Sequence, residues 1–309
     1  MDNEMGRLIL VPQYPAKLRY QEWWFTEFPK YLNAFFDEII ILGQRISEYV
    51  IAEESLFAPT DLAIRYETQQ IDEYTRLVLK PNDCLLLCDL SFPGLFANVL
   101  FHKKPNKCFA ICHATSKNKY DYFAKNRGIK YPIEKATAKL FNKVIVGSQY
   151  HKEKLKWPNI VVKKLPFPPF RPWESVKWNE IVSVARPGIQ KHNLRLERLV
   201  EKTFNTKIQT PECNTWDEYY HFLAQSKVLL ITSKEETYGY QVIDAILNGC
   251  IPIAPNAFSY PELLSKNYLY NNSTELIELI TKALNNELKV PTIHDTYFFS
   301  KIAYIMKYD

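Results

Sequence analysis

The chain has 309 residues, of which 47% are hydrophobic and 24% charged, a composition typical of one large or two medium-sized globular domains. It contains no apolar run of the about 18 residues that a membrane-spanning helix needs. The N-terminus also lacks the basic start and long apolar centre of a signal peptide. We therefore expect a cytoplasmic protein without a transmembrane segment, whose six cysteines are buried free thiols rather than disulfides or metal ligands.

The formal net charge of +5 conceals a strong segregation of charge along the chain. Residues 1–102 have a net charge of −7, residues 103–164 of +13, and residues 165–309 of −1. We call residues 103–164 the basic segment. If its cations share one face, they create a strong positive potential there. The alternative is that they are solvated and spread around the surface.

Short apolar runs in the first half of the chain end in turn or polar residues, which predicts buried parallel strands. These runs are RLILVP, DEIIILG, DCLLLCDLS, KCFAICHAT and KVIVGS. Longer amphipathic stretches between them predict helices: PAKLRYQEWWFTEFPKYLNAFF with a break near Pro29, DLAIRYETQQIDEYTRLVLK, GLFANVLFH, PIEKATAKLFN, and SQYHKEKLKW with Ser148 as its cap. The alternation predicts a doubly wound α/β sheet.

A proline-rich stretch, VKKLPFPPFRPWESVKW, then interrupts the alternation and predicts a stiff, extended connector. Beyond it, strands and helices alternate again, in EIVSVAR, LRLERLVEKTF, TWDEYYHFLAQ, KVLLITS, QVIDAILNG, CIPIAP and STELIELITKALNN. We predict an N-terminal domain over residues 1–170, a C-terminal domain over residues 171–292, and a final helical segment over residues 293–309.

The segment 227–264 holds the residues best suited to ligand chemistry. After a buried strand, Glu236 lies in a loop at the carboxyl edge of the sheet, where open α/β proteins bind ligands. Gly239 lets the backbone turn closely into a helix, whose N-terminal N–H groups suit an anion such as diphosphate. Glu236 and Asp244 can accept hydrogen bonds from hydroxyls of two different sugar rings. An acidic loop without a ligand is the alternative.

Residues Glu236–Gly239 and Asp244 resemble the E-x7-E donor signature of retaining GT-B glycosyltransferases of family 4, with Asp in place of the second Glu. The resemblance implies an α/β GT-B fold with two Rossmann-like, doubly wound domains that face a central cleft, and a final helix that packs back on the first domain. It implies that Glu236 contacts the transferred sugar and that Asp244 holds the ribose. Thr237, Tyr238 and Gly239 would approach the sugar and the diphosphate.

Three further residues match the same family in position. Arg186 and Lys191 correspond to the cations that neutralise the donor diphosphate, although alone they would be ordinary surface residues. His113 ends a predicted strand where relatives often have a histidine facing the donor sugar; a structural cap is the alternative. The sequence contains no D-x-D triplet, so we expect no metal and no cofactor, only a nucleotide-sugar donor such as a UDP-sugar.

In GT-B enzymes the acceptor lies mostly against the N-terminal domain, which here contains the basic segment. Cations interleaved with aromatic residues suit a polyanion with exposed bases, or an anionic membrane surface in peripheral contact. The candidate acceptor-binding residues are Lys117, Lys119, Tyr120 and Arg127. The loop after the first strand lacks the glycines of many relatives, so contacts there would come from Tyr14, Arg19 or Trp23–Trp24.

The stretches VPQYPAKLRYQEWW and CHATSKNKYDYF resemble short glycosyltransferases encoded by bacteriophages, some of which modify hydroxymethylated pyrimidines in DNA. This resemblance favours a DNA acceptor, and a lipid-linked or cell-surface glycan is the main alternative. Two functions of another class stay open. A nucleotide-sugar epimerase would need an acid–base set, for which His113 with Asp89 is the candidate, and a non-catalytic sugar-nucleotide-binding module would need none.

Overall fold

The computed structural model describes residues 6–16, 18–43, 60–165, 173–185, 190–293 and 298–308. The chain forms two compact units: Met1–Pro168 with Tyr297–Asp309, here called the N-terminal unit, and Pro169–Thr296, the C-terminal unit. Within the described ranges, no helix is both long and apolar enough to cross a bilayer.

The N-terminal unit is built on a six-stranded parallel sheet with strand order β2-β1-β3-β4-β5-β6. Leu8 of β1 pairs with Ile39 of β2 on one side and with Cys84 of β3 on the other. The strands are β1 (Arg7–Val11), β2 (Glu38–Ile41), β3 (Cys84–Leu87), β4 (Lys107–Ile111), β5 (Lys143–Val146) and β6 (Ile160–Val162). The central strands are almost entirely buried, which explains their continuous apolar sequences.

The helices of this unit are α1 (Tyr20–Thr26), α2 (Phe28–Leu32), α3 (Thr60–Arg76), α4 (Arg127–Ala138) and α5 (Gln149–Leu155). The predicted break near Pro29 is confirmed, because α1 ends before Glu27 and Pro29 lies in the first turn of α2. Ser148 caps α5 as predicted, accepting a hydrogen bond from His151 N over 3.1 Å. The helix predicted in GLFANVLFH is a 3₁₀ helix over Phe96–Phe101.

The C-terminal unit contains a four-stranded parallel sheet with strand order β10-β9-β8-β7. Its strands are β7 (Asn179–Val182), β8 (Ser226–Leu230), β9 (Ile251–Pro255) and β10 (Leu269–Tyr270). Its helices are α6 (Leu194–Phe204), α7 (Trp216–Ala224), α8 (Tyr240–Leu247) and α9 (Ser273–Leu284). Side chains cap three of them: Asn193 at α6, Thr215 at α7 and Asn272 at α9. Apolar clusters cover both faces of the sheet, as expected for a doubly wound unit.

The last helix, α10 (Phe298–Tyr308), belongs to the N-terminal unit and packs against α2 and β4. Lys107 Nζ donates a hydrogen bond to the backbone oxygen of Lys307 over 2.5 Å. Among the helix residues whose burial is described, Ile302, Ala303, Ile305 and Met306 are buried apolar side chains. The helix therefore packs an apolar face within the N-terminal unit.

Candidate functional site

Lys191 and Glu236 form an ion pair in the C-terminal unit, with Lys191 Nζ 2.6 Å from Glu236 Oε2. The two side chains are only 17% and 14% exposed, so the pair is largely shielded from solvent. Burial opposes ionisation of Glu236, but the Lys191 ammonium and the backbone N–H groups of Thr237 and Tyr238 outweigh it and lower the pKa of the carboxyl. Glu236 is therefore an anion at neutral pH. It presents a fixed carboxylate beside a fixed cation.

Hydrogen bonds at the end of β8 hold the Lys191 loop in place. Lys234 N donates to the backbone oxygen of Gln190 over 2.8 Å. Asn193 N donates to Thr232 Oγ1 over 3.0 Å, and the Thr232 hydroxyl in turn donates to Glu197 Oε1 over 2.5 Å. The two loops are thus joined on both sides of Lys191. This arrangement fixes the ammonium at the carboxyl edge of the sheet, where ligands bind in open α/β units.

Gly239 is the N-cap of α8 and has φ 99°, in the left-handed region that favours glycine. A Cβ at this position would lie 3.2 Å from Leu263 Cδ1, closer than ordinary side-chain contact. The preceding Tyr238 is 4% exposed, and its backbone oxygen accepts a hydrogen bond from Ser259 Oγ over 3.0 Å. The turn from Glu236 into α8 is therefore tightly packed, and it leads directly to the N-terminus of an eight-residue helix.

Asp244 lies on α8 and is 4% exposed. Tyr219 of α7 donates its phenolic hydrogen to Asp244 Oδ2 over 3.1 Å, whereas Asp244 Oδ1 has no partner within the described part of the chain. Burial raises the pKa of Asp244 to about 7, against the weaker lowering effect of the Tyr219 hydrogen bond. Tyr219 was not predicted from the sequence, because an aromatic residue at helical spacing is typical of a core position.

His113 follows β4 in the N-terminal unit and is 9% exposed. Its Nε2 lies 3.2 Å from the backbone oxygen of Cys88, so this nitrogen carries the hydrogen and donates it. The ring lies against Tyr20, with ring centroids 4.4 Å apart. Burial lowers the pKa of His113 to about 3, so the imidazole is neutral at neutral pH. It is held by contacts typical of a structural histidine, and its role toward a ligand stays a prediction.

The cations of the basic segment serve two different purposes. Lys103 Nζ donates to carbonyl oxygens at the end of α3, including that of Thr75 over 3.0 Å, and Lys104 Nζ donates to the Leu140 oxygen over 2.8 Å. Lys107 binds the end of α10 in the same way. These lysines stabilise helix C-termini, where cations are favourable. These three cations of the basic segment therefore have hydrogen-bond partners within the N-terminal unit.

A second group of cations lies around Lys117. Burial lowers the pKa of Lys117, and four neighbouring cations lower it further: Arg127, Lys156, Lys154 and Lys135. Lys117 Nζ lies 5.0 Å from the centre of the Tyr131 ring, and Lys119 Nζ lies 5.3 Å from that of Tyr120. Lys119 and Arg127 are exposed. Part of the charge excess is therefore concentrated in one cluster, here called the Lys117 face, of Lys117, Arg127, Lys135, Lys154 and Lys156.

Other residues singled out in the sequence have different environments. Trp23 and Trp24 are 3% and 1% exposed and pack against Phe28, so they fill the core and do not line a loop site. Five cysteines are buried free thiols, and Cys213 is half-buried. Arg186 lies outside the described residues. Across the described ranges, no three His, Cys, Asp or Glu residues are grouped as metal ligands.

No family model matches the chain. Over 77 residues, a quarter of this chain, it is 36% identical to tRNA-queuosine alpha-mannosyltransferase of Drosophila melanogaster, and the matched region covers only 19% of that protein. Sucrose-phosphate synthase of Thermosynechococcus elongatus aligns over 98% of this chain and 94% of its own, with a TM-score of 0.65 and 12% identity. Anabaena HepE, solved with UDP and glucose, aligns over 97% and 95%, with a TM-score of 0.62 and 12% identity.

At 12% identity these alignments establish the fold and leave the activity open. These two structural neighbours are GT-B glycosyltransferases, and they align over almost the full length of this chain. The fold class predicted from the sequence is confirmed: the chain has the GT-B fold, with two Rossmann-like α/β units.

Proposed function

We propose that the protein is a glycosyltransferase that takes a sugar from a UDP-sugar. The observation that carries this proposal is the Lys191–Glu236 pair, 2.6 Å long and largely shielded from solvent, next to the glycine turn that begins α8. A fixed cation and a helix N-terminus suit a diphosphate, and a fixed carboxylate suits sugar hydroxyls. HepE, solved with UDP and glucose, supports a UDP-sugar donor. The 36% identity to a mannosyltransferase over a quarter of this chain supports sugar transfer.

In this proposal each residue has a separate role. Lys191 offsets the charge that develops on the leaving diphosphate, with Arg186 as a second cation from the family resemblance. Glu236 accepts hydrogen bonds from the transferred sugar, and Asp244 offers its Oδ1 to the ribose. Because these protein cations would neutralise the charge of the diphosphate, we propose that transfer needs no divalent metal and no cofactor. Retention at the anomeric carbon follows from the family resemblance.

For the acceptor we propose a polyanion, and specifically DNA. The Lys117 face supports this choice, because cations near Lys117 outnumber the acidic groups of the basic segment. Such a surface binds phosphodiesters with a strong dependence on salt. An anionic glycan or a lipid surface would be attracted by the same charges and is distinguished below by experiment. Buried free thiols agree with a reducing, cytoplasmic location.

A panel of radiolabelled UDP-sugars tests the proposal, each incubated with the protein and with hydroxymethylated DNA, unmodified DNA, or lipid-linked glycan, with and without EDTA. We expect label in hydroxymethylated DNA, unchanged by EDTA, and an α linkage when the donor sugar is α-linked. Label in the glycan instead would replace the acceptor. Recovery of a C2 or C4 epimer of the donor sugar would indicate an epimerase, and UDP binding with neither reaction would indicate a binding module.

A further inference from the structure

Glu197 lies in the first turn of α6, outside the donor signature, and joins the two segments that carry the Lys191–Glu236 pair. Its Oε1 atom accepts the hydroxyl hydrogen of Thr232 over 2.5 Å and that of His192 Nδ1 over 3.0 Å. His192 directly follows Lys191 in the chain. Thr232 lies just beyond the end of β8, four residues before Glu236. One carboxyl oxygen therefore connects the loop of the cation to the strand end that leads to the anion.

Glu197 also fixes the direction of the Thr232 hydroxyl. The Glu197 side chain is only 14% exposed. Because the single hydroxyl hydrogen of Thr232 is donated to Glu197, the hydroxyl oxygen accepts the N–H of Asn193, over 3.0 Å. Asn193 in turn caps α6, since its side chain accepts from Leu196 N over 3.4 Å. The hydroxyl that Glu197 orients thus holds the chain two residues after Lys191.

The backbone is anchored on both sides of Lys191, and the two anchors differ in kind. The anchor before it is the 2.8 Å hydrogen bond from Lys234 N to the Gln190 oxygen, which joins backbone atoms and needs no particular side chain. The anchor after it depends on the side chains of Thr232 and Glu197. An ammonium on a long, flexible stem is held in one place only if its backbone is fixed.

A second glutamate on the same helix provides a comparison. Glu201 lies one turn further along α6, and its Oε1 accepts a hydrogen bond from Ile208 N over 3.2 Å. Ile208 follows the C-terminus of α6, whereas the Lys191 loop precedes its N-terminus. Loss of either carboxyl group removes a hydrogen bond that stabilises the C-terminal unit. Only the loss of Glu197 would release the Lys191 loop.

We propose that Glu197 is a positioning residue of the donor site, which acts on the donor through Lys191 and does not touch it. By holding Thr232 and His192, it keeps the Lys191 ammonium where the diphosphate binds. This inference rests on the proposed UDP-sugar donor site. Both donors can be neutral, so position 197 must supply an acceptor oxygen and need not supply a charge. Glu197→Gln keeps such an oxygen, and Glu197→Leu removes it.

Calorimetric titration of UDP against three α6 variants tests the inference. Glu197→Leu is expected to bind UDP about fivefold more weakly than the wild type, the effect of about one lost hydrogen bond. Glu197→Gln should stay within about twofold of the wild type, because its Oε1 can accept both bonds. Glu201→Leu is the matched control and should also stay within about twofold, although it loses the bond to Ile208.

The Lys191→Met background separates positioning from a general loss of structure. If Glu197 acts through the ammonium, adding Glu197→Leu to Lys191→Met should weaken UDP binding by less than about twofold. If Glu197→Leu alone does not fold, as judged by circular dichroism, Thr232→Val takes its place, since it removes the same hydroxyl contact and keeps the shape of the side chain. Folded Thr232→Val should also bind UDP about fivefold more weakly.

Several results would overturn the inference: an unchanged UDP affinity in the folded Glu197→Leu or Thr232→Val variant, an equal fall in Glu197→Gln or Glu201→Leu, or a full fall on top of Lys191→Met. If Lys191→Met weakens UDP binding and Glu197→Leu does not, only the role of Glu197 fails and the donor proposal stands. If the wild type does not bind UDP, both fail.

Discussion

Tyr219 of α7 donates a hydrogen bond to Asp244 Oδ2 over 3.1 Å, and this contact joins two helices of the C-terminal unit. It leaves Asp244 Oδ1 as the atom that can accept from a ligand. The carboxyl is buried, and its pKa of about 7 places its titration within the physiological range. The charge of the proposed ribose contact therefore depends on pH, and Tyr219 helps to set that dependence.

The first prediction concerns UDP affinity as a function of pH. Below about pH 7 the Asp244 carboxylate gains a proton and becomes a weaker hydrogen-bond acceptor. The affinity for UDP should therefore fall by about tenfold from pH 8 to pH 5.5, the effect expected for the loss of one charge-assisted hydrogen bond. Calorimetric titration at several pH values measures this fall. Because the Tyr219 hydrogen bond lowers the pKa of Asp244, Tyr219→Phe should move the fall to higher pH. An identical pH dependence in both proteins would contradict the role of Tyr219.

The second prediction concerns stability. The pKa of Asp244 rises from 3.8 to about 7 on folding. The preference of the folded state for protonated Asp244 therefore adds its full stabilisation below pH 3.8, and this stabilisation is lost as the pH rises through about 7. Asp244→Asn removes this titration and keeps an oxygen for Tyr219. Urea unfolding should show that the variant gains about 2 kcal/mol relative to the wild type between pH 5 and pH 8. A difference that does not change with pH would contradict the buried, titrating carboxyl.

The third prediction separates the two groups of lysines in the basic segment. Arg127→Ala and Lys135→Ala each remove an exposed cation. Each should make the plot of log DNA affinity against log salt concentration less steep, by about 0.7 for every lost contact with a phosphate of single-stranded DNA. Stability should change little, since both side chains are exposed.

Lys103→Met is the matched variant from the same segment. The Lys103 ammonium donates hydrogen bonds to carbonyl oxygens at the end of α3, so its loss should reduce the free energy of unfolding by about 1 kcal/mol. The dependence of DNA affinity on salt concentration should not change. Equal effects of Lys103→Met and Arg127→Ala on the salt slope would show that the cations act as one undivided patch.

Much of the fold was predictable because buried parallel strands are continuous apolar runs. The strands β1, β2, β3, β4, β5 and β9 fall within the predicted runs, and β7 and β8 each begin one residue before theirs. The edge strand β6 was missed, since three residues are too few for a recognisable pattern. The 3₁₀ helix at Phe96–Phe101 was predicted only as a helix, because its apolar residues do not distinguish the two helical geometries.

The candidate site was predictable only where a motif identified it. The Glu236–Asp244 spacing and Lys191 pointed to one loop cluster, and the structure joins Lys191 to Glu236. Tyr219 carries no such signal, because its role arises from a contact with another helix, 25 positions away in sequence. Composition likewise could not show that Lys103 and Lys104 stabilise helix ends, since a lysine in a cap and a lysine on a binding face look the same in sequence.

Calorimetric titration of UDP against the wild type, Lys191→Met and Glu236→Gln most directly tests the claim that this ion pair marks the donor site. We expect the wild type to bind UDP, and Lys191→Met to bind it at least about tenfold more weakly through loss of a charge-assisted contact. Glu236→Gln should keep UDP affinity within about threefold but lose sugar transfer, because its proposed partner is the sugar. UDP binding by Lys191→Met with the affinity of the wild type would contradict the account.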